Sequence, residues 1–168
     1  MFEAFDADGN GCREEADFVA LADRWGRLPQ VREGPDLAAR VDGVLKGWRQ
    51  HLSQTVDTDP DGRIGLDGLL GMVDLPPAIP EAVTATAGTI FDAVDENADG
   101  RTSRGEHHRL IDTWHGRPVE TGGVFDLLDP DADGCLSRPE FAVLRTQFWI
   151  SDDPAGPGNL MCGLIGAG

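Results

Sequence analysis

The chain has 168 residues, enough for one or two domains with a sizeable core. Its 30 acidic residues against 14 basic ones leave a formal net charge of -16, which argues against nucleic acid or an anionic membrane as a partner. No apolar run is long enough to span a bilayer, and a Gly-, Ala- and Asp-rich composition with Lys46 as its one lysine suggests a high-GC bacterial genome.

In chain order, Met1–Phe5 offers about one helical turn, with no signal peptide before the first acid-rich loop. Either the start is truncated or this unit leans on its neighbours. The loop runs from Asp6 to Asp17, with Asp6, Asp8 and Asn10 alternating, Gly11 sixth, Glu14 ninth and Asp17 twelfth. The segment from Asp36 to Val56 carries Leu37, Val41, Val44, Leu45, Trp48 and Leu52, the pattern of a long amphipathic helix. A second loop, Asp57–Gly68, repeats Asp57, Asp59, Asp61 and Gly62 but ends in Gly68. Leu75-Pro-Pro-Ala-Ile-Pro80 then breaks any helix. The third loop, Asp95–Glu106, has Asp95, Asn97, Asp99, Gly100, Ser103 and Glu106 in place, and the fourth, Asp129–Glu140, has Asp129, Asp131, Asp133, Gly134, Ser137 and Glu140. After Trp149 a polar break at Ser151–Pro154 precedes an apolar tail with Leu160, Met161, Leu164 and Ile165.

The repeated spacing has a physical cause. Calcium takes about six to eight oxygens in a flexible shell, and alternate residues of a tight loop point theirs inward. The sixth position turns sharply and wants glycine. The twelfth supplies a bidentate carboxylate at the start of the next helix. This is the twelve-residue calcium loop of the EF-hand. By this standard the third and fourth loops are complete. The first ends in a shorter acid, and the second lacks its twelfth ligand, so it is expected to be shaped like a hand without holding metal. Because a single hand cannot cover its own apolar face, four hands imply two pairs, residues 1–75 and 76–168, the second with the C-terminal tail.

Flanking apolar residues fit that reading. Phe2, Phe91 and Phe125 stand four residues before a loop, and Phe5, Val56, Val94 and Leu128 one before. Phe18 and Leu21, Leu69, Leu110 and Ile111, and Phe141 and Leu144 follow the loops, all as expected core. His107 falls where Phe18 and Phe141 fall, so a packed histidine is expected there rather than a ligand. Arg13 replaces the usual apolar residue at the eighth position of the first loop, where pairing with Ile64 is expected. Cys12, Cys135 and Cys162 have no paired spacing and suggest free thiols in a reducing cytoplasm. No nucleophile–base arrangement, phosphate loop or cofactor fingerprint stands out, so no enzyme is expected.

Four hands, a long first interval, a defective second loop and an acidic chain resemble the calerythrin-like and sarcoplasmic calcium-binding proteins. Phe5-Asp6-Ala-Asp8-Gly-Asn10-Gly11, with Asp17-Phe18 closing the loop, is similar to the first hand of the bacterial members, where an Asp also tends to close the loop and the second hand is commonly silent. The resemblance implies a compact all-α fold and three calcium sites. The first maps to Asp6, Asp8, Asn10, the Cys12 backbone and Asp17. The second maps to Asp95, Asn97, Asp99, the Arg101 backbone and Glu106. The third maps to Asp129, Asp131, Asp133, the Cys135 backbone and Glu140. The short acid at Asp17 also suits magnesium, which prefers single-oxygen contacts in an octahedron.

The expected role is a cytoplasmic, monomeric calcium buffer. Sensors expose a Met-rich groove to a protein partner, whereas Met1, Met72 and Met161 form no stripe. A sensor or adaptor is the alternative, and the apolar tail is a candidate to fill the groove. Calcium-triggered photoproteins, a third class, rely on Tyr, His and Trp around a chromophore, and this chain has no Tyr.

Overall fold

The computed structural model describes residues 14–55, 80–150 and 156–161. Among these, helices dominate. They are α1 (Glu15–Gly26), α2 (Pro29–Glu33), α3 (Pro35–Thr55), α4 (Pro80–Val94), α5 (Arg104–His115), α6 (Val124–Leu128) and α7 (Arg138–Ile150), followed by a 3₁₀ turn at Pro157–Leu160. Two three-residue strands, β1 (Arg101–Ser103) and β2 (Cys135–Ser137), sit inside the third and fourth loops. The 36–56 helix is therefore present as α3, and the loops at 95–106 and 129–140 each lie between helices.

Local signals explain the boundaries. Pro29, Pro35 and Pro80 each begin a helix, where the missing amide hydrogen costs nothing and the fixed φ is already helical. Ser103 caps α5 through a reciprocal box with Glu106, and Gly116 ends it in the left-handed conformation, φ 70°. Apolar spacing then turns one face of each helix inward. On α4 Ala87, Ile90, Phe91 and Val94 are buried, and on α5 Leu110, Ile111 and Trp114 are buried. On α3 the inward residues are Val41 and Leu45, with Leu37 and Trp48 packed beside them.

These faces meet in one core, from Phe18 on α1 to Met161 beyond the last turn. Three tryptophans hold its centre. Trp114 of α5 takes Trp25 of α1 and Trp48 of α3 edge-on, each at a centroid distance of 5.5 Å. Phe91 and Phe141 make a similar contact at 5.4 Å between α4 and α7. The expected core positions Phe18, Leu21, Phe91, Val94, Leu110, Ile111, Phe125, Leu128, Phe141 and Leu144 are all buried, as is His107. Phe2, Phe5, Val56 and Leu69 lie outside the described residues, as do the 57–68 loop and residues 75–79. Met161 is fully buried and Leu160 is packed against the core, while Leu164 and Ile165 lie outside the described residues.

Candidate metal centres

The third and fourth loops are tied back to back by β1 and β2. The strands run antiparallel with Arg101 opposite Ser137, Thr102 opposite Leu136 and Ser103 opposite Cys135. Thr102 and Leu136, at the eighth position of their loops, are both wholly buried. This short ladder fixes each loop's second half relative to the other.

Within each loop the side-chain oxygens are held by the loop's own amides, in one repeated pattern. The first-position carboxylate accepts from the sixth residue, Gly100 N to Asp95 Oδ2 at 2.9 Å and Gly134 N to Asp129 Oδ2 at 2.8 Å. The third-position oxygen accepts from the fifth residue, Asp99 N to Asn97 Oδ1 at 3.0 Å and Asp133 N to Asp131 Oδ1 at 3.3 Å. The fifth-position carboxylate accepts from the seventh, Arg101 N to Asp99 Oδ1 at 2.8 Å and Cys135 N to Asp133 Oδ1 at 2.9 Å. The twelfth-position carboxylate accepts from the ninth, Ser103 N to Glu106 Oε2 and Ser137 N to Glu140 Oε2, both at 2.8 Å. Each serine hydroxyl adds a second bond to the same oxygen. Glu106 Oε1 also accepts from Glu96 N at 2.9 Å, drawing the end of the loop onto its beginning.

Two backbone positions per loop make this winding possible. Gly100 and Gly134 take positive φ, 78° and 88°, as the spacing requires. Ala98 and Ala132 do so too, at 55° and 56°. An alanine carries no propensity signal for that conformation, so sequence reading misses the second bend.

The fourth loop concentrates its acids most. One oxygen each from Asp129, Asp131 and Asp133 lies within 4.8 Å of the others. Asp129 is 8 % exposed, and its Oδ1 is buried with no hydrogen-bond partner among the described residues. A buried carboxylate oxygen left without a donor is unfavourable unless a cation meets it. The Asp133 amide favours the charge on Asp131, but desolvation and the neighbouring Asp133, Asp129 and Glu140 carboxyls raise its pKa. Asp133 shifts the other way. A hydrogen bond from the Arg101 guanidinium, at 2.5 Å across the ladder, and the Cys135 amide hold its pKa down. The fourth loop thus fits a hard divalent cation, with oxygens converging and amides already orienting them, and the third repeats its amide-to-oxygen pattern.

Of the first loop, the described part is Glu14 to Asp17. Asp17 is buried, and its Oδ2 accepts from Glu14 N at 2.7 Å. That is the ninth-to-twelfth bond of the other two loops, made here with Glu14 and a shorter acid. Asp6, Asp8, Asn10 and Cys12 lie outside the described residues.

No known protein-family description matches the chain, and no curated protein matches it. Solved structures do. A light-sensitive photoprotein is 19% identical, covering 92% of this chain and 80% of its own, with a TM-score of 0.68. A Streptomyces coelicolor calcium-binding protein, described as a basis for prokaryotic calcium-mediated regulation, is 20% identical over 88% of this chain and 92% of its own, TM-score 0.65. Berovin from the ctenophore Beroe abyssicola, in a calcium-loaded apoprotein state, is 21% identical over 89% and 84%, TM-score 0.68. The chain has a compact all-α EF-hand fold.

Proposed function

We propose that this chain binds calcium at three sites and acts as an intracellular, monomeric calcium buffer, organised as hand pairs at 1–75 and 76–168. The ligands are Asp6, Asp8, Asn10, the Cys12 carbonyl and Asp17; Asp95, Asn97, Asp99, the Arg101 carbonyl and Glu106; and Asp129, Asp131, Asp133, the Cys135 carbonyl and Glu140. The observation that carries the reading is the buried, unpartnered Asp129 Oδ1 among three converging acids, in a loop whose amides already aim its oxygens. Bound calcium would supply the missing positive charge, and the chain's part is to wrap it. The first site, closed by Asp17, also takes magnesium.

Burial of Met161 and packing of Leu160 in the core support a buffer over a sensor, because apolar groups near the end of the chain are spent internally. The calcium-mediated regulation in the description of the Streptomyces coelicolor protein favours a second reading, the sensor or adaptor. Light emission is not carried over from the photoproteins. Among the described residues, the apolar cavity between Trp25, Trp48 and Trp114 measures about 10 Å³, room for one water at most.

The test is calorimetric calcium titration with magnesium competition. Three bound ions and no calcium-induced apolar surface support the buffer. Fewer than three ions would overturn the three-site assignment, and calcium-dependent dye binding would favour the sensor.

A further inference from the structure

In a chain with 30 acids and 14 bases, a surface arginine has carboxylates to spare. Several find one: Arg40 and Arg138 both reach Asp92, Arg101 reaches Asp133, and Arg104 reaches Asp126. One cavity reverses the balance. It is a shallow depression open to solvent, about 470 Å³ in volume, and it lies where the end of α1, the start of α2 and the end of α5 meet. Arg24, Arg27, Arg109 and Arg117 line it against only Glu96 and Asp112, a formal excess of two positive charges in a chain of net charge -16.

Both acids are already engaged. The Glu96 carboxylate pairs with Arg109. Asp112 Oδ1 accepts from Val119 N at 2.9 Å, and its Oδ2 faces His108 Nε2 at 3.5 Å. Arg24 is fixed as well. Its guanidinium donates to the Trp114 carbonyl at 3.1 Å, passing over Gly116 where an added Cβ would come within 2.4 Å of it. Arg27 and Arg117 remain exposed and form no ion pair among the described residues. Two uncommitted guanidinium groups therefore line a concavity whose other arginines are anchored. Leu28, Pro29 and Pro118 add an apolar wall.

Guanidinium forks match the oxygens of a phosphate in paired, charge-assisted hydrogen bonds. A volume of this size suits a small molecule, since such pockets span roughly 300–1,000 Å³. We propose that this cavity is a binding site for a small phosphate monoester, its dianion held by Arg27 and Arg117 and its apolar body resting on Leu28, Pro29 and Pro118. The excess of two positive charges equals the charge of such a ligand. The site adjoins the third loop through Glu96, whose amide donates to Glu106 Oε1, while its proposed phosphate contacts, Arg27 and Arg117, lie outside the loops.

The test is calorimetric titration of phenyl phosphate into the full chain at one fixed calcium concentration, so that pairing of ligand with free calcium is common to every protein and cancels. Near-UV circular dichroism of the tryptophans confirms that each variant is folded. Wild type should bind, and the double variant Arg27→Ala, Arg117→Ala should bind about tenfold more weakly, the loss of one charge-assisted contact or more. Arg32→Ala, on an exposed arginine outside the cavity, should leave binding unchanged. Inorganic phosphate should bind more weakly than phenyl phosphate, because it lacks the apolar body. Absence of binding by wild type, equal binding by the double variant, or equal loss in Arg32→Ala would overturn the site. Succinate binding as tightly as phenyl phosphate would overturn the phosphate assignment. If the double variant does not fold, Arg117→Glu alone supplies the same comparison.

Discussion

Arg101 has two roles at one position. Its carbonyl stands where the third loop would contribute a backbone ligand, while its guanidinium crosses the ladder to Asp133, a proposed ligand of the fourth. The arginine therefore offsets part of the charge that a cation would meet in the neighbouring loop. Arg101→Gln should tighten calcium binding at the fourth loop by about two- to fivefold, the modest range of an exposed ion pair. The gain should be larger at low salt. Titration of the variant at two ionic strengths checks this, and unchanged affinity at low salt would remove Arg101 from the account. The sequence shows an arginine at the seventh position of the third loop. Only the antiparallel register places its side chain on the partner loop.

His107 is a second residue whose position was legible and whose consequence was not. It occupies the core slot that Phe18 and Phe141 fill in their own hands, and it is 1 % exposed. Burial lowers its pKa from 6.5 to about 4, against a hydrogen bond with the Met161 backbone that raises it, with His108 adding a further lowering. A histidine whose folded pKa is depressed is protonated more readily in the unfolded chain. Its neutral form thus contributes stability that is intact above about pH 6.5 and lost as pH falls toward 4. By linkage the loss over that window is roughly 3 kcal/mol. Denaturant melts at pH 7 and pH 4.5 should show His107→Phe losing less stability than wild type. Parallel losses would mean that the carboxylates alone set the acid response.

At the scale of elements, the 3₁₀ turn at Pro157–Leu160 is held by close approach to α7. A Cβ on Gly158 would lie 2.6 Å from Gln147 Cβ, 2.7 Å from the Leu144 carbonyl oxygen and 2.8 Å from Phe148 N. Two of those atoms are helix backbone and cannot swing aside. Gly158→Ala should lift the turn from α7, withdraw Met161 from the core and cost about 1–3 kcal/mol, the range for an overpacked site. Calcium-dependent binding of a hydrophobic dye should rise with it, as it should in a version ending at Asp153. A variant as stable as wild type, with no added dye binding, would show that the turn does not seal the core. The apolar spacing after Asp153 suggested a tail folded inward. That a glycine had to stand at 158 depends on the path of α7 past it.

For the whole molecule, charge and metal decide stability together. Converging carboxylates repel without a cation, and ions that bind only the folded chain stabilise it by mass action. Each filled site should add roughly 2.7 kcal/mol at a hundredfold excess of free calcium over Kd. The melting temperature should climb steeply between chelator and calcium, and a melt indifferent to calcium would contradict the proposed sites.

The sequence by itself determined the helical core and the loop chemistry. Acid spacing of two with glycine at the sixth position favours converging oxygens, and apolar residues four before and one before the third and fourth loops dictate which helix faces turn inward. These are local relations, so a linear reading reaches them. Tertiary structure decided what depends on distant residues meeting. The Trp25–Trp114–Trp48 centre, the Arg101–Asp133 bond and the arginine-lined cavity each join side chains from separate elements, whose meeting follows from how helices pack rather than from spacing along the chain. The left-handed bends at Ala98 and Ala132 belong with them. Alanine announces no such conformation, and it is the bonds from backbone amides to side-chain oxygens within each loop that hold the backbone there.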